Sequence, residues 1–322
     1  MEDMITGLCP QCGHTLHIPA ELASFSCMYC GARLTKEQLA AEPPAAQEAD
    51  EDRAAYYDRA VSRLGWCIKN FGGYQKKIMR DVFFEAFETY ETGCAPVIQE
   101  LARGVAPEQQ TQLLGRAAAA MLDELEAGWQ KKGDMEDEKI VLAIFFVPMV
   151  RKQQLPISEE FVTILQKQWV ERYPKSPFYL GDYESISGGF RKKFLGLCFI
   201  TTAVCQELGK PDDCEELTAF RAFRDGYLRS QPDGEALIRE YYNIAPGIVT
   251  CINTCSDRHA SYARIREEYL APCYQDLLAG RNESCKARYV FLCTWHKCMR
   301  KKKTKRRKTG KYLTRRKIEF YN

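Results

Sequence analysis

Tyr57-Asp-Arg-Ala-Val61-Ser-Arg-Leu64-Gly-Trp-Cys-Ile68-Lys-Asn-Phe71 is the stretch from which the fold class is read. Tyr57, Val61, Leu64, Ile68 and Phe71 recur every three or four positions, a period that puts them on one face of a helix. Gly72-Gly73 ends that helix. The pattern continues downstream. Phe83, Phe87 and Tyr90 mark the apolar side of a second helix. Pro107 opens a third, lined by Leu114, Ala117, Met121 and Leu125, where the alanine run 117–120 adds helix propensity. Ile140 to Val150 is apolar all round, as in a helix buried on every side, and Pro148 is expected to kink or end it. Ser158-Glu159-Glu160 supplies a cap and first-turn acids for a helix that runs to Tyr173, where Pro174 stops it.

Residues 183–299 read as a second helical block. Gly188-Gly189 precedes a helical run from Phe190 to Cys205, and Pro211-Asp212-Asp213 is a turn and cap. Leu217, Phe220, Phe223 and Tyr227 form the next stripe. Pro232-Asp233-Gly234 breaks the chain before Leu237 to Tyr242, and Pro246 starts a segment through Ile252. Two further helices cover about 258–279 and 284–300. Strand signals are scarce outside the N-terminus, and no repeat of solenoid length occurs.

Working outward to that N-terminus, Cys9-Pro-Gln-Cys12-Gly and Cys27-Met-Tyr-Cys30-Gly are two C-x-x-C knuckles separated by fourteen residues. Each places two sulfurs on one side of an ion, and Gly13 and Gly31 sit where the backbone must turn. Cys9, Cys12, Cys27 and Cys30 are therefore expected to hold one structural zinc ion, Zn2+, with no open coordination position. The metal would supply folding energy that so few apolar residues cannot. His14 and His17 could substitute as ligands, but the cysteine set is already complete. Thr15 to Ile18 and Phe25 to Met28 suit short hairpin strands. The fold class expected is thus mainly α, a multi-helix body with a small N-terminal β zinc ribbon. The expected divisions are a ribbon at 1–38, a Pro/Ala/acid-rich linker at 39–53, helical domains at 54–182 and 183–299, and a basic tail at 300–322.

Composition narrows the class further. Hydrophobic residues make up 45% and charged residues 28% of the 322, ordinary for a globular chain. No run approaches the length needed to span a bilayer, and no signal-peptide pattern opens the chain, so a cytoplasmic location is the expectation. Fifteen cysteines, an odd number, argue against a disulfide framework in that setting. The net charge of +3 conceals an asymmetry: twelve Lys and Arg lie in 300–317, leaving 34 basic against 43 acidic residues elsewhere. This tail, RKKKTKRRKTGKYLTRRK, could contact nucleic acid or an anionic surface. With Tyr312 alone among its cations, it lacks aromatic interleaving, so such binding would be independent of base sequence. A solvated tail lying against its own acidic body is the alternative.

Cys198-Phe-Ile-Thr-Thr-Ala-Val-Cys205 stands out within the second block. Phe220-Arg-Ala-Phe-Arg-Asp225, Leu237-Ile-Arg-Glu-Tyr-Tyr242 and Ala245-Pro246 follow it, and Val147-Pro148, Trp169, Tyr173-Pro174 and Gly189-Phe190 precede it. In this order they resemble an uncharacterised bacterial domain, the CFI-box C-terminal domain, in proteins that carry a zinc ribbon before it. The resemblance covers the ribbon and about residues 140–295. It implies no activity and no catalytic residues, and the basic tail lies outside it. A nuclear-import reading of the tail is at odds with a bacterial relationship.

Two readings of Cys198 remain open. It could be a nucleophile or metal ligand, with Thr201 and Thr202 as donors, Lys192 and Lys193 as nearby cations and His259 or His296 as base. Alternatively Cys198, Ile200, Thr202 and Cys205 are small groups on a buried helix, the threonine hydroxyls bonding its own carbonyls. The second is preferred, because buried cysteine is common and no triad order is visible. The same holds for Cys214, Cys251, Cys255 and Cys273, placed on apolar stripes. Cys293 and His296 face one way on a helix, but Cys298 diverges from them. No phosphate-loop, dinucleotide, zinc-protease or nucleophile-elbow motif occurs. The expected function is a zinc-binding interaction or scaffold protein whose partner is a protein, with a cysteine-dependent enzyme centred on Cys198 as the alternative.

Overall fold

The computed structural model of the chain describes residues 4–11, 15–39, 50–191, 198–255 and 257–289. It is mainly α. Two compact units divide it, Met1–Tyr56 and Tyr57–Asn322.

In the first unit two antiparallel hairpins form. Strand β1 (Met4–Leu8) pairs with β2 (Thr15–Pro19), Ile5 opposite Ile18 and Gly7 opposite Leu16. Strand β3 (Ser24–Ser26) pairs with β4 (Arg33–Thr35), Phe25 opposite Leu34. Leu16 and Ile18 point inward and His17 outward, the period-two alternation of a half-buried strand. Among the described residues the apolar core here is Cys9, Leu16, Ile18, Cys27 and Leu34, few for holding so small a unit by apolar burial alone. Strands β2 and β3 follow the sequence reading in part, whereas β1 and β4 had no sequence signal strong enough to announce them.

The body begins with α1 (Asp50–Leu64) and α2 (Trp66–Lys69). Most of the expected linker lies outside the described residues, and its last part is already helical. An acid such as Asp52 suits a helix N-terminus as well as it suits a linker. The apolar stripe from Tyr57 to Phe71 is buried apart from Val61, which packs against the core from a partly buried position. The helix breaks earlier than the Gly72-Gly73 pair, at Gly65. Helices α3 (Phe83–Gly104), α4 (Gln110–Gly128) and α5 (Lys132–Val141) follow, then α6 (Val147–Lys152), α7 (Ser158–Arg172) and α8 (Tyr183–Arg191). A wide π turn, Leu142–Phe146, joins α5 to α6. It carries the Val147 N–H to the Leu142 carbonyl and brings Pro148 into the first turn of α6. Pro148 therefore does not end the helix. The missing donor and the ring bulk are accommodated by one widened turn.

The first core gathers around that turn. Phe145 packs its ring 5.3 Å from Tyr74 and 5.6 Å from Tyr90. Phe190 of α8 stacks on Phe83 with centroids 4.3 Å apart, so α8 belongs to this core, and Gly188-Gly189 lies inside the helix rather than ahead of one.

A second core is built from α9 (Phe199–Glu207), α10 (Glu215–Phe223), α11 (Gly234–Cys255), α12 (Arg258–Ile265) and α13 (Ala271–Leu278), with residues 282–289 also helical. Two more π turns interrupt it, Arg224–Leu228 after α10 and Arg266–Leu270 between α12 and α13. The latter again precedes a proline, Pro272. Helix α11 runs straight through Pro246, where the sequence suggested a start. It joins the two cores. A Cβ placed on Gly247 would sit 2.0 Å from the Ile78 carbonyl oxygen. Beside it Arg80 N–H donates to the Asn243 carbonyl (3.0 Å), and Asp81 N–H donates to Asn243 Oδ1 (3.1 Å). No helix among the described residues is long and apolar enough to cross a membrane.

Two glycine substitutions test this junction. Gly247→Ala gains helix propensity of about 1 kcal/mol but forces backbone apart, and overpacking of this kind costs roughly 1–3 kcal/mol, so a net loss of stability is expected. Gly188→Ala, in α8 with nothing within 4 Å of the new Cβ, should gain up to about 1 kcal/mol. Urea midpoints at unchanged slope decide. Equal effects of the two would contradict the close approach of α11 to Ile78.

Candidate functional site

Cys9 follows β1, and Cys27 follows β3. Cys27 N–H donates to the Ala32 carbonyl, and Gly31 N–H donates to the Cys27 carbonyl, each at 2.8 Å. Gly31 adopts φ of 76°, which closes the turn and returns Cys30 towards Cys9. The sulfurs of Cys9, Cys27 and Cys30 all lie within 4.8 Å of one another, and those of Cys9 and Cys30 are 3.7 Å apart. A tetrahedral thiolate site with metal–sulfur bonds of about 2.3 Å spaces its sulfurs by about 3.8 Å. This group can hold a metal ion. Cys9 and Cys27 are buried and Cys30 is exposed. The fourth expected ligand, Cys12, lies outside the described residues, as does His14. His17 is exposed on β2, opposite Thr6 and outside the sulfur group.

In the body, Cys198 occupies the position just before α9. Its carbonyl accepts the Thr202 N–H at 2.6 Å, while Tyr241 Oη accepts the Ile200 N–H at 3.0 Å. The first turn of α9 is thus fixed from α11. Arg224, the first residue of the π turn after α10, is buried, and its Nη1 lies 3.6 Å from Cys198 Sγ. The same nitrogen donates to Tyr242 Oη (2.9 Å), and Nε donates to Asp225 Oδ1 (2.8 Å). Burial opposes the charge on Arg224, but the Asp225 carboxylate, Cys198 and Tyr242 together raise its pKa. Burial also pushes the Cys198 thiol up. Arg224, Arg221 and the Tyr289 hydroxyl pull the other way and do not overcome it. Tyr242 shares in a groove of about 710 Å3 with Arg80, Asp81, Arg239, Glu240 and Asn243.

Cys198 therefore sits in a dry place with polar neighbours, a combination neither sequence reading contained. The residues the sequence offered as its partners are elsewhere. His259 is exposed and pairs through Nδ1 with Glu207 Oε1 at 2.5 Å, about 13 Å along α9 from Cys198. Lys192, Lys193, Cys293, His296 and Cys298 lie outside the described residues. The hydroxyls of Thr201 and Thr202 are buried without hydrogen-bond partners, so they do not bond carbonyls of their own helix. Cys214 stands at the N-cap of α10, not on an apolar stripe, with its sulfur 3.9 Å from Cys205. Cys255 is buried in the first core, and burial pushes its thiol up to about 11.

Arg224 and Tyr242 lie in the Phe220–Asp225 and Leu237–Tyr242 segments that carry the resemblance, but neither was read as a site residue. Only tertiary packing brings them to the cysteine. The expected consequence is chemical. Alkylation of Cys198 in the folded chain should show a pH midpoint above the value of about 8.5 for a free thiol, since burial disfavours the thiolate. A midpoint below that value, from peptide-resolved alkylation rates, would overturn the dominance of burial. Comparison of the chain with family models, curated proteins and solved structures finds no match.

Proposed function

We propose that the chain is a zinc-binding interaction or scaffold protein of the cytoplasm, in which Cys9, Cys12, Cys27 and Cys30 hold one structural Zn2+. The spacing of the three described sulfurs carries this reading, since it suits a shared tetrahedral thiolate ion. A full set of cysteine ligands leaves no position for substrate, so the ion's task is to hold the terminus together. Met28 and Tyr29, between the last two ligands, are 81% and 58% exposed. They give the knuckle an apolar tip of a kind suited to a protein partner. The likeness of 140–295 to the CFI-box domain belongs to the same proposal, with a helical body as the second interacting part. The polybasic segment 300–317 adds sequence-independent contact with nucleic acid.

A cysteine-dependent enzyme is the second reading. One observation favours it, the Arg224 guanidinium 3.6 Å from the Cys198 sulfur at the start of a helix. The raised thiol pKa favours the scaffold instead.

Metal analysis of the purified chain should give one zinc per chain. Cys27→Ser should lower metal content by at least about tenfold at limiting zinc, and chelation should unfold the ribbon without melting the helical body. Cobalt in place of zinc should give the charge-transfer absorption of a thiolate site. A chain that retains its ribbon by NMR with no metal present would defeat the proposal. For the tail, affinity for random-sequence RNA should fall steeply with salt, and deletion of 300–322 should flatten that slope. An unchanged slope removes the nucleic-acid part alone.

A further inference from the structure

Six body cysteines form three pairs across the packing of the helices. Cys94 Sγ lies 3.9 Å from the Cys67 carbonyl, Cys273 Sγ lies 4.0 Å from the Cys285 carbonyl, and Cys205 and Cys214 bring their sulfurs to 3.9 Å. The first two pairs are wholly buried. In the third, Cys205 is buried and Cys214 is partly exposed. Of these three body pairs it is the one in which one residue is partly exposed and the other buried.

We propose that Cys205 and Cys214 form a dithiol site that exchanges with low-molecular-weight disulfides, Cys214 taking the first bond and Cys205 resolving it. The backbone is already arranged for the link. Residues 206–213 make a tight return between α9 and α10, with Gly209 at φ of 67° and Lys210 N–H donating to the Cys205 carbonyl at 2.9 Å. A disulfide needs its sulfurs at about 2.05 Å, so the two must close by about 2 Å. Cys214 has non-helical backbone at its N-cap position and makes no side-chain cap hydrogen bond that the link would have to break. Burial, then the neighbouring Cys214, push the Cys205 thiol up to about 12, so it keeps its proton until its partner is engaged.

The exchange balances without a metal or further cofactor. The Cys214 thiolate attacks one sulfur of the small disulfide, forming a mixed disulfide and releasing one small thiolate, which takes up the proton that Cys214 gave to solvent. Cys205 then loses its proton, and its sulfur attacks Cys214 Sγ. The Cys205–Cys214 bond forms, and the second small thiol departs. Two protein thiols are oxidised, and one small disulfide is reduced to two thiols. The new bond would staple the α9–α10 hairpin, which begins at Cys198 and runs into the π turn that holds Arg224.

The full-length, zinc-loaded chain is incubated with glutathione disulfide, quenched with acid, alkylated after denaturation and peptide-mapped. The expected product has lost two hydrogens and contains a peptide crosslinked through 205 and 214, formed at least about tenfold faster than any other body modification. Cys214→Ser, which keeps a good N-cap, should block it. Cys205→Ala should instead accumulate one glutathione adduct on Cys214. The proposal is overturned if the wild type keeps a stable adduct on Cys214, if Cys67–Cys94 or Cys273–Cys285 oxidises first, or if no body cysteine reacts. Should Cys205→Ala lose its helical circular dichroism, the wild-type map and Cys214→Ser decide between these results.

Discussion

The close approach of α11 to the 78–82 segment is the constraint on which the arrangement of the body depends. Gly247 permits it, because any side chain at that position would run into the Ile78 carbonyl. Everything near the second core's polar cluster is then set by consecutive residues of one helix. Asn243 holds the backbone of Arg80 and Asp81, Tyr242 receives a hydrogen bond from Arg224, and Tyr241 receives one from the start of α9. Moving α11 outward by the width of a methyl group would disturb all three contacts at once. A continuous helix through Pro246 is what lets them share one rigid support.

At Cys198 two large electrostatic effects oppose each other. A guanidinium close to a sulfur favours the thiolate, and exclusion of water disfavours it. The outcome follows from where the arginine spends its charge. Arg224 is held by the Asp225 carboxylate and also serves Tyr242, so its field at the sulfur is partly neutralised. Desolvation of the sulfur is offset only in part by Arg224, Arg221 and the Tyr289 hydroxyl. The cluster is consequently a buried guanidinium held by an exposed carboxylate, with a thiol beside it, an arrangement that fixes geometry more than it activates a nucleophile.

Much of the fold was legible because helical stripes are a local signal. The Tyr57–Phe71 stripe, the all-apolar 140–150 run and the two knuckles needed only spacing to be read. The breaks were less legible. Pro148 looked like a kink or an end, Pro246 like a start and the Gly188-Gly189 pair like the approach to a helix, and all three lie within helical backbone. Local propensity lost to packing at each. The Ile140–Val150 region gains so much by burial that a widened turn ahead of Pro148 is the smaller cost. Phe190 gains a stacked partner in Phe83 that outweighs the entropy of two helical glycines, each about 1 kcal/mol. The candidate site was half legible. Metal-ligand cysteines announce themselves by short spacing, but Arg224 lies 26 residues from Cys198 and reaches it only once α9, α10 and α11 have packed.

Cysteine chemistry in this chain is therefore sorted by environment rather than by sequence context. In the first unit, the sulfurs of Cys9, Cys27 and Cys30 converge where few apolar groups are buried, and this group can hold a metal ion. In the body the same residue type behaves as a small apolar group, and pairs of thiols fill gaps that a larger side chain would overpack. A buried thiol pair costs little while reduced, since a thiol is a weak donor with little hydration to lose. What separates one pair from another is access. Cys67 and Cys94 are enclosed by α2 and α3, whereas Cys214 stands at a helix start facing a turn. Helix ends are where a packed body must let its backbone meet water, so a thiol placed there meets solvent without any cavity having to open.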